Sequence, residues 1–350
     1  MGMVLCAGLG TRLRPLTERV PKPAVPVCGL PLVRYALALL AGAGARRAVV
    51  NVHHLPEVMA SIAEAAARAL GLELTVSREP LIAGTGGALR EARRALEGAG
   101  AIAVVNGDVL FDLDLRRAVA DHRRSGALAT MVLATMPAGG KYAAVEADAG
   151  GAVRRIAGRF GPGGEALTPW HFTGVHVLAP ALLDRVPGEP FELDVNRHVY
   201  PPLMAAGLVR AHVAGGYWND LGTPERYLAV HRDVLAGRVP LDRFAGADPY
   251  AGLDHRGSGI RVAPSARVEA GAVLRPPVLV CDESWIEAGA TVGPEAVVGP
   301  RCRVPAGARV ASAVLWEGTS LEPGEEVVEV IADGRCRVPV RVSRRGASNE

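Results

Sequence analysis

The residues best suited to chemistry lie near the start of the chain, where a short apolar run is followed by glycines. The run from Val4 to Ala7 predicts a buried strand. Gly8, Gly10 and Thr11 then allow the backbone to turn tightly with its N–H groups pointing outward. Successive N–H groups of this kind form a cradle for an anion. The segment therefore predicts a phosphate-binding loop.

Positive side chains flank this loop. Arg12 and Arg14 add fixed charge beside it. Lys22 lies between Pro21 and Pro23, which predict a restricted, extended conformation for it. Of the 39 lysine and arginine residues in the chain only two are lysines, so Lys22 is a candidate for chemistry. An ammonium is a compact point charge that fits between phosphate oxygens where a planar guanidinium does not. Loop and cations together predict a triphosphate site.

Two well-known phosphate-binding motifs do not match these residues. A dinucleotide-binding fingerprint requires a third glycine where Leu13 stands and an acidic residue after the second strand, where the chain reads Asn51-Val52-His53-His54. A Walker A loop ends in Gly-Lys-Ser or Gly-Lys-Thr, whereas this loop continues as Gly10-Thr11-Arg12. A glycine turn with surface arginines is the structural alternative.

A long two-part motif in this region resembles the signature of the sugar-1-phosphate nucleotidylyltransferases, also called NDP-sugar pyrophosphorylases. Its parts are Gly8-Leu9-Gly10-Thr11-Arg12-Leu13-Arg14-Pro15-Leu16-Thr17 and Pro21-Lys22-Pro23, and the resemblance continues to about residue 235. It implies that the substrates are a nucleoside triphosphate and a sugar-1-phosphate. It also implies that Arg12 and Lys22 are catalytic residues, which would stabilise the transition state and the departing pyrophosphate.

Strands and helices alternate over the first half of the chain, which predicts an α/β fold with a Rossmann-like, mostly parallel sheet covered by helices on both faces. The family resemblance adds that such a sheet is GT-A-like. In these sheets ligands bind beyond the carboxyl ends of the strands. The predicted strands are 4–7, 48–52, 72–76 and 101–105, and the predicted helices are 31–44, 56–70 and 90–96.

A second glycine-rich stretch, Arg78 to Gly87, follows the third predicted strand. The resemblance implies that this loop holds the nucleotide base, with contacts from Glu79 and Gly84. A carboxylate only accepts hydrogen bonds, so Glu79 suits the N1–H and N2–H donors of guanine better than the single N3–H of uracil or thymine. A helix-start turn is the structural alternative. The nucleotide-binding residues implied are Leu5, Ala7, Gly8, Gly10, Thr11, Glu79, Gly84 and Thr85.

Two aspartates are candidate ligands for Mg²⁺. Asp108 follows the fourth predicted strand next to Gly107, a glycine that lets phosphate approach, and a hard cation ligand is expected there. It resembles the Gly-Asp metal motif of the family. Asp220 lies in a segment that resembles the family's Trp-x-Asp-x-Gly-Thr sequence, in which the aspartate completes the metal site. Capping of a following helix is the structural alternative for each aspartate.

The resemblance also implies a sugar side between these two aspartates. Its segments contain Tyr142, Ala143, Thr173, Gly174 and Asn196, which are the predicted sugar-binding residues. Relatives carry a Glu-Lys-Pro near residue 160 whose lysine grips the sugar phosphate, but this chain reads Arg159-Phe160-Gly161-Pro162-Gly163-Gly164. Either Arg159 or Lys141 replaces that lysine, or the substrate is held differently.

A six-residue repeat begins at residue 260. Apolar residues recur every six positions from Val262 to Trp316, ten in register, with a small or apolar residue two positions before each. This is the hexapeptide repeat of a left-handed parallel β-helix. Acyltransferases with this coil use a histidine base, but the last histidine here is His255, before the repeat. We therefore expect an assembly or regulatory module that makes the chain a homo-oligomer.

The predicted organisation is a nucleotidyltransferase catalytic domain at 1–236, a linker at 237–259, a β-helix domain at 260–335 and a polar tail at 336–350, disordered from Arg341. A formal charge of +3 without a basic stripe argues against a nucleic-acid partner. No apolar run reaches the length of a membrane span, and no signal peptide is evident. Five scattered cysteines form neither a disulfide framework nor a metal motif, so a cytoplasmic location is expected.

The sequence favours transfer of a nucleoside monophosphate to a sugar-1-phosphate, with GTP and mannose-1-phosphate as the preferred pair because Glu79 and the β-helix resemble guanylyltransferases of that class. Uridylyl or thymidylyl transfer to a hexose or amino-sugar 1-phosphate is the alternative within the class. A catalytically silent subunit that binds an NDP-sugar and regulates a partner is the alternative from another class.

Overall fold

One large sheet organises the part of the chain up to residue 236. The structure is a computed structural model that describes residues 1–137, 142–159 and 166–340. The helices are α1 (Leu32–Gly42), α2 (Pro56–Ala69), α3 (Gly84–Glu91), α4 (Arg93–Leu96), α5 (Leu115–Ser125), α6 (Tyr200–Ala205) and α7 (Pro224–Leu235). The strands are β1 (Gly2–Leu5), β2 (Pro26–Val27), β3 (Leu30–Pro31), β4 (Arg47–Val52), β5 (Glu73–Arg78), β6 (Ile102–Asn106), β7 (Val109–Phe111), β8 (Ala129–Ala134), β9 (Ala144–Ala147), β10 (Val153–Ile156), β11 (Thr168–Leu178), β12 (Val209–Val213) and β13 (Trp218–Asp220).

The sheet is parallel in its first half and mixed in its second. Its main path runs β10-β9-β11-β6-β1-β4-β5, and β8 pairs with both β11 and β12. β1 lies between β4 and β6 and is parallel to both. β11 runs antiparallel to β6 and begins the mixed half. The predicted α/β fold with a mostly parallel, Rossmann-like sheet is therefore confirmed.

Alternate residues of β1 pack into two different hydrophobic clusters, as the period of a strand requires. Val4 packs on one face with residues of α1, α2 and α5. Met3 packs on the other face with residues of α3, α4 and α6. Both side chains are fully buried. Helices cover the sheet on both faces, so its ligand-accessible part is the edge where the parallel strands end.

Two local predictions are corrected. The first strand ends at Leu5, two residues earlier than expected, because the backbone N–H of Cys6 leaves the sheet and donates to Oδ1 of Asn51 (2.8 Å). Lys22 is not extended but begins a 3₁₀ turn, Lys22–Ala24, in which the N–H of Ala24 donates to the carbonyl of Pro21 (2.7 Å). A proline suits the first turn of a helix because its missing N–H would have no partner there.

The remaining helical turns are short. They are the 3₁₀ turns Thr11–Leu13, Leu16–Glu18, Pro180–Arg185 and Leu241–Arg243 and a π-helical turn at Val195–Val199. Among the described residues, no helix is both long and apolar enough to cross a bilayer.

From residue 260 the chain winds as a parallel β-helix. Its strands stack on three faces, and the pairing of Ile260 with Val278 and of Val278 with Ala296 sets a coil of eighteen residues, or three hexads. Apolar side chains of the repeat fill the interior of the coil. The strands, including the preceding pair member β14, are β14 (Asp254–His255), β15 (Ile260–Val262), β16 (Arg267–Val268), β17 (Val273–Leu274), β18 (Val278–Val280), β19 (Trp285–Ile286), β20 (Thr291–Val292), β21 (Ala296–Val298), β22 (Arg303–Val304), β23 (Arg309–Ala311), β24 (Val314–Leu315), β25 (Glu326–Val328), β26 (Val330–Ala332) and β27 (Arg337–Pro339).

Part of the segment expected to be a tail is ordered structure. β27, within that segment, pairs antiparallel with β26, and Val340 beyond it is buried. Val338 and Val340 are two residues apart, so they lie on one face of this segment, and both pack in a hydrophobic cluster with Ile331 of the last coil. Residues 341–350, for which disorder was predicted, lie outside the described part of the chain.

The segment 237–259 packs tightly, although its composition predicts a linker. Phe244 and Ala247 are buried. The guanidinium of Arg34 donates through Nε (2.9 Å) and Nη2 (2.6 Å) to the carbonyl of Gly246. The segment therefore fills the junction between the sheet and the β-helix rather than spanning open solvent.

The β-helix and the first unit share one hydrophobic cluster, in which Tyr35 and Tyr227 pack with Leu279 and Ile331 of the coil. Nε1 of Trp316 donates to the hydroxyl of Tyr227 (2.9 Å), which in turn donates to the carbonyl of Pro26. These contacts hold α7 against the coil through buried, hydrogen-bonded groups.

Tyr227→Phe is expected to lower the free energy of unfolding by about 1–3 kcal/mol, because the buried indole N–H of Trp316 loses its acceptor. The measurement is urea denaturation followed by circular dichroism. Tyr250→Phe is the matched control, since the carbonyl of Val234 that Tyr250 contacts also accepts from Gly237 (3.0 Å). Equal stability of Tyr227→Phe and the native chain would contradict the role given to this hydrogen bond.

Candidate active site

A cavity of about 510 Å³ lies at the carboxyl ends of β1, β4 and β6. Many of the residues predicted to contact nucleotide or metal line it, and the sequence predictions omitted several others. The predicted residues that line it are Leu5, Ala7, Gly8, Gly10, Thr11, Arg12, Lys22, Glu79, Gly84, Thr85 and Asp108. The residues that were missed are Leu9, Pro23, Asn51, Ile82, Asn106 and Gly222.

The glycine turn after β1 is built around Gly10. Gly10 has a φ of 62°, in the left-handed region, and a Cβ there would lie 3.0 Å from Cβ of Lys22. The hydroxyl of Thr17 donates to the carbonyl of Gly10 (2.8 Å), and so does the N–H of Leu13 (3.0 Å). Only glycine allows both the conformation and the close approach of the lysine segment.

Lys22 is fixed in the cavity by an ion pair with Asp108. Nζ of Lys22 lies 2.7 Å from Oδ2 of Asp108, and Lys22 is only 7% exposed. Asp108 follows β6, so the pair joins the segment after β1 to the end of β6. Gly107 leaves room for this packing, since a Cβ there would lie 2.8 Å from the carbonyl oxygen of Leu5 and 2.7 Å from Sγ of Cys6.

Cys6 is not a candidate nucleophile. Burial, and then the charge of Asp108, raise the pKa of its thiol far above the ordinary value. The thiol is therefore protonated and a poor nucleophile near pH 7.

Asp220 ends β13, which pairs with β7 so that Asp220 stands opposite Val109. The N–H of Leu221 donates to the carbonyl of Asp108 (3.0 Å), which places the two aspartates on adjoining backbone segments. Oδ1 of Asp220 accepts from the hydroxyl of Tyr142 (3.2 Å) and forms an ion pair with Arg226. Among the described residues, no group of three histidine, cysteine or acidic side chains is close enough to hold a metal ion. Any ion here would complete its coordination with water or with ligands from a bound molecule.

Buried hydrogen bonds of Glu79 and Asn51 connect the glycine turn to the second glycine-rich loop. Nδ2 of Asn51 donates to Oε1 of Glu79 (2.7 Å), and the N–H of Ala83 donates to Oε2 (3.0 Å). Oδ1 of the same Asn51 accepts from Cys6 at the start of the turn. Glu79 is only 5% exposed, yet it lines the cavity, and each carboxylate oxygen has a second lone pair. The sequence offered one signal for Asn51, since it is a polar residue near the end of the otherwise apolar strand β4.

Gly84 and Thr85 contact both the cavity and the segment near residue 193. Gly84 has a φ of 72°, and a Cβ there would lie 2.5 Å from the carbonyl oxygen of Leu193. Oγ1 of Thr85 accepts from the N–H of Val195 (2.9 Å). Packing of the loop therefore explains in part why these positions hold a glycine and a threonine, in addition to any contact with a ligand.

None of the predicted sugar-side residues is among the described residues that line this cavity. Tyr142, His171 and Trp218 form an aromatic cluster. The centroid of the His171 ring lies 4.4 Å from that of Tyr142 and 4.2 Å from that of Trp218. Nε1 of Trp218 donates to the carbonyl of Thr173 (2.9 Å). Burial, and then the charge of Arg226, lower the pKa of His171 to about 4, so its ring is neutral near pH 7.

Other sugar-side predictions have different outcomes. The hydroxyl of Thr173 is buried and donates to the carbonyl of Val132 (2.8 Å), so it cannot reach a ligand. Gly174, with a φ of 85°, packs against Asn106, and Ala143 is exposed. Oδ1 of Asn196 is buried and has no hydrogen-bond partner within the described part of the chain. Arg159 is exposed, and Lys141 lies outside the described residues.

Arg12 packs against Gly222, which follows the Asp220 segment. A Cβ on Gly222 would lie 3.1–3.2 Å from the guanidinium atoms of Arg12. The glycine therefore leaves the space in which Arg12 lies between the turn after β1 and the segment after β13.

Gly222→Ala is expected to displace the guanidinium of Arg12 by a few tenths of an ångström or more and to lower kcat/KM roughly 10- to 100-fold, because catalysis is sensitive to such misplacement. Folding stability should change by less than about 0.5 kcal/mol, since the end of a flexible side chain gives way. The measurement is steady-state pyrophosphate release together with thermal unfolding. Gly188→Ala is the matched control because its added methyl meets open space. Full activity of Gly222→Ala would show that the position of Arg12 is unimportant.

Comparison with known proteins agrees with this geometry. The family described as nucleotidyl transferase matches residues 1–237. A mannose-1-phosphate guanylyltransferase of Mycobacterium tuberculosis is 31% identical over 280 residues, covering 78% of this chain and 74% of that protein. A mannose-1-phosphate guanyltransferase of Eremothecium gossypii is 29% identical over 277 residues, covering 76% and 72%. A UTP–glucose-1-phosphate uridylyltransferase of Synechocystis is 30% identical over 368 residues, covering 95% and 87%.

Proposed function

The chain belongs to the nucleotidyl transferase family, and from that premise we propose that it joins GTP and mannose-1-phosphate to give GDP-mannose and pyrophosphate. The enzyme class, a sugar-1-phosphate nucleotidyltransferase, follows from the family and from relatives of about 30% identity. The observation that supports the substrate pair is the likeness to mannose-1-phosphate guanylyltransferases over more than three quarters of the chain.

The reaction needs two anions to meet in line. A phosphate oxygen of the sugar-1-phosphate forms a bond to the α-phosphorus of the triphosphate, and the bond from that phosphorus to the bridging oxygen of the β-phosphate breaks. Pyrophosphate leaves with the electron pair of that bond. In our proposal Arg12 and Lys22 stabilise the negative charge that develops on the leaving group. Alignment and charge neutralisation supply the catalysis, and the protein provides no nucleophile.

Enzymes of this family use a divalent metal ion, and we propose Mg²⁺ for this one. Asp108 and Asp220 fit it, since they lie on adjoining backbone segments and Mg²⁺ on a triphosphate is commonly held by one or two carboxylates. When bound, the ion would neutralise charge on the triphosphate. The two carboxylates are balanced in the ligand-free chain by Lys22 and Arg226.

Glu79 supports guanine as the base. Its two oxygens are held by hydrogen bonds from Asn51 and Ala83, and Glu79 lines the cavity, so it offers a fixed hydrogen-bond acceptor. Guanine offers two adjacent donors to such a group, and uracil offers one. Uridylyl transfer to glucose-1-phosphate is the second candidate, because the Synechocystis relative aligns with 95% of the chain, including the β-helix.

Two further predictions from the sequence stay predictions. They are a homo-oligomer assembled through the β-helix and a cytoplasmic location.

A substrate panel tests the proposed pair. GTP, UTP, dTTP and ATP are each combined with mannose-1-phosphate, glucose-1-phosphate and N-acetylglucosamine-1-phosphate, and pyrophosphate release is measured. We expect the highest kcat/KM for GTP with mannose-1-phosphate, with preference over UTP coming from the donors that face Glu79. A higher value for UTP with glucose-1-phosphate would replace the guanylyl assignment with the uridylyl one.

Lys22→Ala is expected to lower kcat by roughly 100-fold or more, because a charge that stabilises the transition state is removed from a water-poor site. Lys22→Arg should also be impaired, since the buried position against Gly10 and Asp108 fits a slender side chain. Rates are measured at saturating substrates, with circular dichroism as the check on folding. Unchanged turnover of the alanine variant would remove Lys22 from the mechanism.

A further inference from the structure

The proposed function brings a second phosphate into the cleft, and that phosphate needs a cation of its own. Lys22 is engaged with Asp108 beside the glycine turn, and Arg12 lies against Gly222. Both are placed to meet the triphosphate. Tyr142, His171 and Trp218 cluster on the sugar side, and among the described residues Arg226 is a cation in contact with this cluster.

Arg226 occupies an unusual position on α7. It lies in the first turn of the helix, and its backbone N–H donates to Oγ1 of the cap residue Thr223 (3.4 Å). A cation at this end is disfavoured by the helix dipole, so the side chain needs a compensating anion. Asp220 supplies that anion from the segment just before the helix.

The guanidinium of Arg226 has donors to spare. Its contact with Oδ1 of Asp220 is made through Nη1, whereas a guanidinium carries five N–H groups in a planar fork. Its carbon lies 5.2 Å from the centre of the Tyr142 ring, which supports it on the sugar side. The side chain is 37% exposed, against 17% for Asp220, so a ligand can reach the arginine.

We propose that Arg226 binds the phosphate of the sugar-1-phosphate, with Asp220 and Tyr142 holding the guanidinium in place before the substrate arrives. A planar guanidinium accepts phosphate oxygens through two parallel N–H bonds, which fixes the orientation of the phosphate as well as its position. This inference rests on the proposed function, because it assigns a residue to the second substrate of that reaction.

Of the two alternatives raised by the sequence, Lys141 lies outside the described residues, and Arg159 is less well placed. The side chain of Arg159 is exposed, and its described contacts are backbone bonds with Ile156. Arg226, by contrast, touches both a candidate metal ligand and a predicted sugar-side residue.

The experiment compares Arg226→Gln and Arg226→Lys with the native enzyme. We expect KM for mannose-1-phosphate to rise roughly 10- to 100-fold in Arg226→Gln, the effect of losing charge-assisted hydrogen bonds, while KM for GTP changes by less than about 2-fold. Arg226→Lys should recover part of the loss, since it keeps the charge without the planar fork. Calorimetric binding of mannose-1-phosphate, in the presence of Mg²⁺ and a non-hydrolysable GTP analogue, should weaken in parallel.

Arg238→Gln is the matched control, because Arg238 pairs with Asp233 at the far end of α7 and makes the same change of charge. Arg159→Gln tests the competing assignment. The inference is overturned if KM for mannose-1-phosphate is unchanged in Arg226→Gln, or if Arg159→Gln gives the larger rise. Asp220→Asn is measured as well, with Mn²⁺ affinity as a probe of the metal site. If Arg226→Gln, like Asp220→Asn, lowers only kcat and Mn²⁺ affinity, the inference is also overturned.

Failure of the proposed function has a separate signature. If the native enzyme does not use mannose-1-phosphate, the same variants are compared on the sugar-1-phosphate that the substrate panel selects. The assignment of Arg226 is then supported if the KM for that sugar phosphate rises in Arg226→Gln and is wrong if this KM is unchanged, whatever the sugar is.

Discussion

The register of three parallel strands is the constraint on which the cleft depends. Leu5 of β1 stands opposite Asn51 of β4 and Asn106 of β6, so all three strands end at one level. The residues that follow must then leave the sheet together and turn toward the same space. A slip of one residue in either pairing would send Asn51 or Asp108 to the opposite face, because side chains alternate along a strand. The ion pair of Lys22 with Asp108 forms between residues 86 positions apart only because this register holds.

Much of this arrangement could be predicted from local sequence. The glycine turn and its cations could be predicted, since Gly10 permits the left-handed conformation and Lys22 follows nearby in the sequence. The conformation of Lys22 itself could not, because it forms a 3₁₀ turn and is not extended. The four predicted strands correspond to β1, β4, β5 and β6 to within about two residues, because each is a short apolar run between polar ones. The eighteen-residue coil followed from the hexads alone, since each hexad contributes one side of a coil irrespective of what surrounds it.

What could not be predicted depends on partners that are distant in the chain. Gly222 reads as part of a loop, and only the fold shows that its missing side chain leaves space for Arg12. Arg226 reads as one of many arginines until β13 and α7 bring it to Asp220. The composition of the segment 237–259, which is rich in glycine and proline, predicts a linker. Phe244 within it is instead buried in the cluster that both units share. Tertiary contacts decided these cases.

Helix α7 serves both units through consecutive residues. Arg226 forms an ion pair with Asp220, and Tyr227 beside it is buried and accepts a hydrogen bond from Trp316 of the coil. The cluster around Tyr227 draws side chains from α1, α7 and the β-helix, so it is a single core that crosses the boundary of the family match at residue 237. Dissection of the chain at that boundary would consequently open an apolar surface to water instead of releasing a self-sufficient unit. The coil thus belongs to the same core as the first unit, and residues of the β-helix help to fix the position of α7.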